Sequence, residues 1–254
     1  MKQLLVMIIT GVWMLGHTPK LQAQVINIED KRIRTDTTGW SGSGELAFYA
    51  NKNNDMLVSL QTDLHLQYKT KKSLVLLLTD IATVQVNEND RFVNSGFQHV
   101  RYNYKLRDRF VWEAFVQGQY NEPLDIDYRL LTGTGPRFKV FGTDTFRLYV
   151  ATLYMYEIEA NPGELNTENN HRMSSYLSFT FTPNDHVSIV STTYYQPNVT
   201  DLKDRRISTT LDIKSYLTEK LYLKVNYNML DDSRPAPGIV NTIYEFTAGV
   251  GLEF

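Results

Sequence analysis

Ten polar residues recur at alternate positions inside segments that are otherwise apolar or aromatic: Arg101 and Asn103, Glu113 and Gln117, Arg129, Arg137 and Lys139, Arg147, and Glu157 and Glu159. In extended chain a spacing of two puts such residues on one face. Two chemistries suit a face of this kind. Arginines and carboxylates around a narrow pore select solutes by charge. Alternatively the same ions pair with one another and fill a closed interior, because an unpaired charge in a confined space is costly.

Hydrolysis is weighed against these and finds less support. A serine hydrolase needs a serine and a histidine within hydrogen-bond reach and a third group to orient the histidine. His65 has Asp63 on the same face, and His99 stands in "FQHVRYN" with no serine two residues on. No nucleophile is identifiable beside either, and His171 and His186 flank opposite ends of one segment. No catalytic residue is assigned. The chain has no cysteine, no His-x-x-x-His and no acidic loop of calcium-binding spacing, so neither a metal site nor a cofactor site is expected. The formal net charge of −2 shows no basic excess for nucleic acid.

The elements that position these residues are strands. Val58, Leu60, Thr62, Leu64, Leu66 and Tyr68 alternate with Ser59, Gln61, Asp63, His65 and Gln67, and Phe146 to Ile158 alternates with the row holding Arg147, Glu157 and Glu159. No segment after the first two dozen residues has a comparable 3.6-residue period. Twelve strands are predicted, at about 42–50, 57–68, 74–86, 93–104, 110–120, 127–141, 145–160, 171–181, 187–196, 205–217, 221–230 and 242–254. The register of "LVLLLTDIATVQV" from Leu74 is the least regular. Most strands reach the roughly 9 to 11 residues that a tilted strand needs to cross a bilayer.

The connections add a second signal. The odd-numbered ones include "NPGELNTENN", "PNVTDLKD" and "DDSRPAPGIVN", whereas the even-numbered ones are as short as "GTD" and "TEK". An up-and-down membrane barrel with both termini in the periplasm sorts its loops in this way, and a soluble sandwich does not. The fold class expected is therefore all-β, an up-and-down antiparallel transmembrane β-barrel of about 12 strands. Twelve strands lie between the small barrels that side chains fill and the large ones that hold a channel.

Residues 1–23 read as a signal peptide, with Lys2, an apolar run from Leu4 to Leu15 and Ala23 at the cleavage point. Residues 24–41 read as a periplasmic lead-in and 42–254 as the barrel, which places the protein in a bacterial outer membrane. The last segment, "TIYEFTAGVGLEF", carries Tyr244, Phe246, Val250, Leu252 and Phe254 on one face. An apolar row ending on a terminal aromatic looks like the signal read by the outer-membrane barrel assembly machinery. That machinery and outer-membrane lipid are the partners expected. In a closed barrel this last strand pairs with the first.

The segments "GFQHVRYNYKL" (96–106), "WEAFVQGQYN" (112–121) and "YRLLTGTGPRFKVF" (128–141) together resemble a bacterial family of unknown function labelled salt-induced outer-membrane proteins. The resemblance implies an outer-membrane β-barrel and brings no reaction, ligand or catalytic residue with it. Three functional readings stay open: a filled or structural barrel or a narrow passive pore with a mixed-charge lumen; a barrel hydrolase acting on lipid or peptide; and a soluble exported β-sandwich that binds a ligand.

Overall fold

Alternation of apolar and polar residues lets a sheet bury one face and turn the other outward, and a single meander of strands does this here. The computed structural model describes residues 38–52, 56–86, 90–162, 167–218 and 221–252. The signal peptide, most of the lead-in and Phe254 lie outside the described residues. The strands are β1 (Gly39–Lys52), β2 (Met56–Lys69), β3 (Ser73–Val86), β4 (Asp90–Arg107), β5 (Phe110–Asn121), β6 (Ile126–Gly142), β7 (Phe146–Ala160), β8 (Glu168–Asn184), β9 (Val187–Pro197), β10 (Arg205–Tyr216), β11 (Leu221–Asp232) and β12 (Thr242–Leu252). All belong to one sheet in which each strand pairs antiparallel with the next in sequence. The first strand starts at Gly39, inside the last residues expected to be lead-in.

The sheet curls. Glu113 on β5 and Tyr176 on β8 are three strands apart, about 14 Å along a flat sheet, yet the Tyr176 hydroxyl donates to Glu113 Oε2 at 2.8 Å. Arg206 on β10 reaches Glu157 on β7 at 2.8 Å. Only a barrel wall, concave toward this face, brings those side chains together. Ladders join β1 through β12 in order, but no β12–β1 ladder occurs among the described residues, so the pairing of last strand with first is not found there.

The outward row is apolar and aromatic. Val100, Tyr102, Trp112, Phe138, Val150, Tyr154 and Leu177 all stand exposed on it. Near the tight-turn end Phe110 stacks on Phe138 with ring centroids 4.9 Å apart, and Trp112 Nε1 donates to Thr134 at 2.8 Å. Strands of 11 to 18 residues exceed what a tilted bilayer crossing requires. No helix among the described residues is long and apolar enough to span a membrane, which leaves the strands to do so.

The connections segregate. Residues 198–204 and 233–241 are the longest of the fully described connections and share one end of the barrel. The fully described turns at the opposite end have two or three residues, and side chains close them: Asn184 Oδ1 accepts from the His186 and Val187 amides, and the Thr143 hydroxyl accepts from the Phe146 amide. The irregular pattern of β3 has a simple cause, since both its faces are apolar. Leu76 and Leu78 are fully buried on the interior row against Phe97, while Val75 and Ile81 point out.

Candidate functional site

The interior side chains fall into two ionic groups with an apolar layer between them. Near the turn end, Glu113 is fully buried and takes three partners: Arg101 Nη1 at 3.5 Å, Arg137 Nη1 at 3.5 Å and the Tyr176 hydroxyl. Beside it Arg101 Nε donates to His99 Nε2 at 3.3 Å, which leaves His99 Nδ1 to donate to Gln117 Oε1 at 2.9 Å. Gln117 then donates to Gln119 at 2.6 Å, so one relay of hydrogen bonds links β4 and β5. Asn103 is buried on the same row. The Arg137 guanidinium also lies over the Tyr149 ring, 4.1 Å from its centroid. Lys139 and Arg147 are only half-buried and stand in neither group, being the last polar residues of this row before the turn.

At the long-loop end the second group is larger. Arg129 donates to Glu159 at 2.6 Å. Arg206 is its hub: Nη1 lies 2.8 Å from both oxygens of Glu157, Nη2 is 3.2 Å from Glu159, and Nε is 2.6 Å from Asp232. Arg172 lies 3.3 Å from Glu157 and reaches Asp204 at 2.9 Å. Asn198 donates to Asp204 at 3.1 Å and to Asn170 at 2.8 Å, tying the loop before β10 onto the cluster. Arg172, Asp204, Arg206 and Asp232 were not among the residues singled out from sequence. Their signal was nonetheless there, because each lies at an alternate position of an inward row near a strand end, Asp204 one residue before β10.

The mixed-charge network expected in this sector is divided into two groups by an apolar layer. Along β6 the residues Leu131, Gly133 and Gly135 separate Arg129 from Arg137, and they belong to a layer with Phe115, Ala151, Leu153, Met155, Tyr176 and Tyr194. The two glycines make the layer thin enough to close. A Cβ on Gly133 would meet the Phe115 ring at 2.4 Å, and one on Gly135 would lie 2.3 Å from the Thr152 carbonyl oxygen. The alternation of charged and apolar residues along a single inward row is what hid the layer.

The other side of the barrel is filled near the turn end, where His65, Gln67, Leu76 and Leu78 are buried, and less filled above it. Glu45 is exposed, and Asp63, Asp212, Asn226, Asn228, Glu245 and Thr247 are half-buried on the same interior row. Register sets Glu45 opposite Asp63 and Ser43 opposite His65, so the serine absent from the local sequence around His65 arrives from the neighbouring strand. On β12, Tyr244, Phe246 and Val250 are exposed on the outer face, Leu252 pairs with Leu221, and Phe254 lies outside the described residues.

At the long-loop end a cavity of about 540 Å3 opens above the Arg206 cluster, roofed by the 233–241 loop. A small cavity of about 20 Å3 lies in the apolar layer beside His99 and Tyr176.

A curled antiparallel meander with an apolar outer row, ionic interior and loops sorted by end defines a transmembrane β-barrel. The chain belongs to the family described as Protein of unknown function, DUF481, whose model matches residues 44–254. That agrees with the resemblance carried by residues 96–141. The chain is also similar to a solved structure of the NanC porin in a rhombohedral crystal form, with 12% identity, 83% of this chain and 99% of that chain covered, and a TM-score of 0.48. No curated protein matches the chain.

Proposed function

We propose that this protein is an integral outer-membrane barrel without catalytic activity, in which the β4–β10 sector is a fixed filling and any passive solute path runs along the opposite wall. The observation that supports this is the contrast in solvent access across the interior. Glu113 and Glu157 are 0% and 1% exposed, whereas Glu45 is exposed and Asp63, Asp212 and Asn228 are half-buried. A residue that selects a passing solute must meet water, and the buried arginines do not. Carboxylates outnumber cations at mid-height on the wetter wall, which favours a weak preference for cations. The apolar outer row contacts outer-membrane lipid, and the β12 row of Tyr244, Phe246 and Val250 serves the assembly machinery.

The test is single-channel conductance of the refolded chain lacking residues 1–23 in a planar bilayer. Asp63→Lys and Asp212→Lys shift ion selectivity toward anions, while Arg137→Ala leaves it unchanged in those channels that still insert. Selectivity that follows Arg137 and ignores Asp63 would place the path in the charged sector and overturn the proposal. Verified insertion without conductance steps would reduce the barrel to a structural one.

A second reading, a hydrolase, draws on one observation, the juxtaposition of Ser43, His65 and Asp63 on the interior face. Reaction of Ser43 with a fluorophosphonate probe, lost in His65→Ala, would establish it.

A further inference from the structure

The cavity at the long-loop end has the size of a small-molecule site, and its walls carry two kinds of surface. One side presents amides, among them Asn161, Asn169, Asn170 and Asn198; the other is the aliphatic face of the 233–241 loop, with Pro235, Ala236 and Val240. The floor is rigid, because Arg172 and Arg206 are buried and held by two and three carboxylates respectively. The loop is latched to the 198–204 loop by Arg234 and Asp201 at 2.5 Å, and Ser233 caps the Arg205 amide at 2.7 Å.

Charge decides what such a cavity accepts. Four guanidinium groups line it, on Arg129, Arg172, Arg206 and Arg234, against five carboxylates, and each of the four arginines already holds one of those carboxylates or Glu157 below them. An anion entering would meet carboxylates with no unengaged arginine to receive it, and a cation would have to compete with guanidinium groups at four of the five carboxylates, the exposed Glu168 being held instead by the Asn170 amide at 3.4 Å. The cavity therefore disfavours anions strongly and cations more weakly, and uncharged solutes enter it at the least electrostatic cost. Among these, a ring with hydroxyls at its edge and C–H groups on its face matches an amide wall facing an aliphatic one.

We propose that this vestibule binds an uncharged polyhydroxylated solute, a neutral mono- or disaccharide. The proposal rests on the outer-membrane reading only in that the long loops face the exterior. It does not require a conducting path.

The experiment titrates glucose, N-acetylglucosamine and maltose into the refolded chain lacking residues 1–23 in detergent micelles, read by calorimetry and saturation-transfer NMR. Glucosamine and glucuronate supply the same ring with a positive or a negative charge. Ala236→Trp fills the cavity from its roof, and Val240→Trp does so from a more exposed position if the first variant fails to show the heat-dependent gel mobility of a folded barrel. Saturable binding of a neutral sugar is expected, weakened at least tenfold, about 1.4 kcal/mol, in a folded tryptophan variant and for both charged congeners. No saturable binding of any neutral sugar overturns the proposal. So does equal binding of glucuronate or glucosamine, or binding that the tryptophan variants leave intact. Binding without conductance would sustain the vestibule and remove the pore, and conductance without binding would do the reverse.

Discussion

Arg206→Met removes the hub of the long-loop cluster while keeping most of the side chain's length and its apolar stem. Four contacts go: two at 2.8 Å to Glu157, one at 3.2 Å to Glu159 and one at 2.6 Å to Asp232. Glu157 keeps Arg172 at 3.3 Å, Glu159 keeps Arg129 at 2.6 Å, and Asp232 keeps only the Arg234 amide at 2.9 Å. The variant therefore leaves buried carboxylates in excess of their cations, and breaking a buried pair from one side costs about 3–5 kcal/mol. The matched control is Arg234→Met, whose pair with Asp201 is 59% and 41% exposed and contributes below about 1 kcal/mol. Urea unfolding in lipid vesicles, followed by tryptophan fluorescence and gel mobility, measures both. Adding Glu157→Gln to Arg206→Met restores part of the loss, since it removes one of the stranded charges, and the cycle of single and double variants reports the coupling. An Arg206→Met cost no greater than that of Arg234→Met would mean that water reaches the cluster. The account of β4–β10 as a filled sector would then be wrong.

Gly135→Ala is expected to destabilise the barrel by about 1–3 kcal/mol through overpacking, because the added methyl meets the Thr152 oxygen and the Leu153 Cα at 2.3 and 2.6 Å; Gly118→Ala, with nothing within 4 Å, is the near-neutral control in the same urea assay. The Asp201 carboxyl is held below the usual aspartate range first by the Lys203 amide and then by Arg234. Its folded form binds protons less readily than the unfolded chain, so the latch is intact above the ordinary aspartate value and releases only as pH falls through the lower one. Carbon-13 NMR of the carboxyl checks this, and Arg234→Met moves the midpoint upward. Ser43 is expected to stay unlabelled by a fluorophosphonate probe in intact-protein mass spectrometry, and labelling abolished by His65→Ala would instead establish the hydrolase reading.

Strand number, strand order and the sorting of loops were legible in the sequence because each depends on local pattern. Period-two alternation marks a strand wherever its two faces differ, and it blurs only where they do not, as at Leu76 and Leu78 against Val75 and Ile81. Contacts across the interior were not legible. Whether Arg206 meets Glu157 depends on how tightly the sheet curls and on how each strand is offset from the next, and neither quantity is written in any one segment. The choice between pore lining and filling turns on a different property again, the volume of the neighbours on the same inward row. In β5 to β7 the charged residues share that row with Phe115, Leu131, Leu153 and Met155, which close the space and force the ions to pair. At mid-height in β10 to β12 the row is Thr210, Asp212, Asn226, Asn228 and Thr247, half-buried polar side chains shorter than the aromatic and aliphatic ones of the filled layer. On the proposed reading, charge density therefore marks the filling of this barrel and not its path. The residues best able to carry a charge signal are those the fold can least afford to hydrate, and the wall that could admit a solute is marked by small side chains instead.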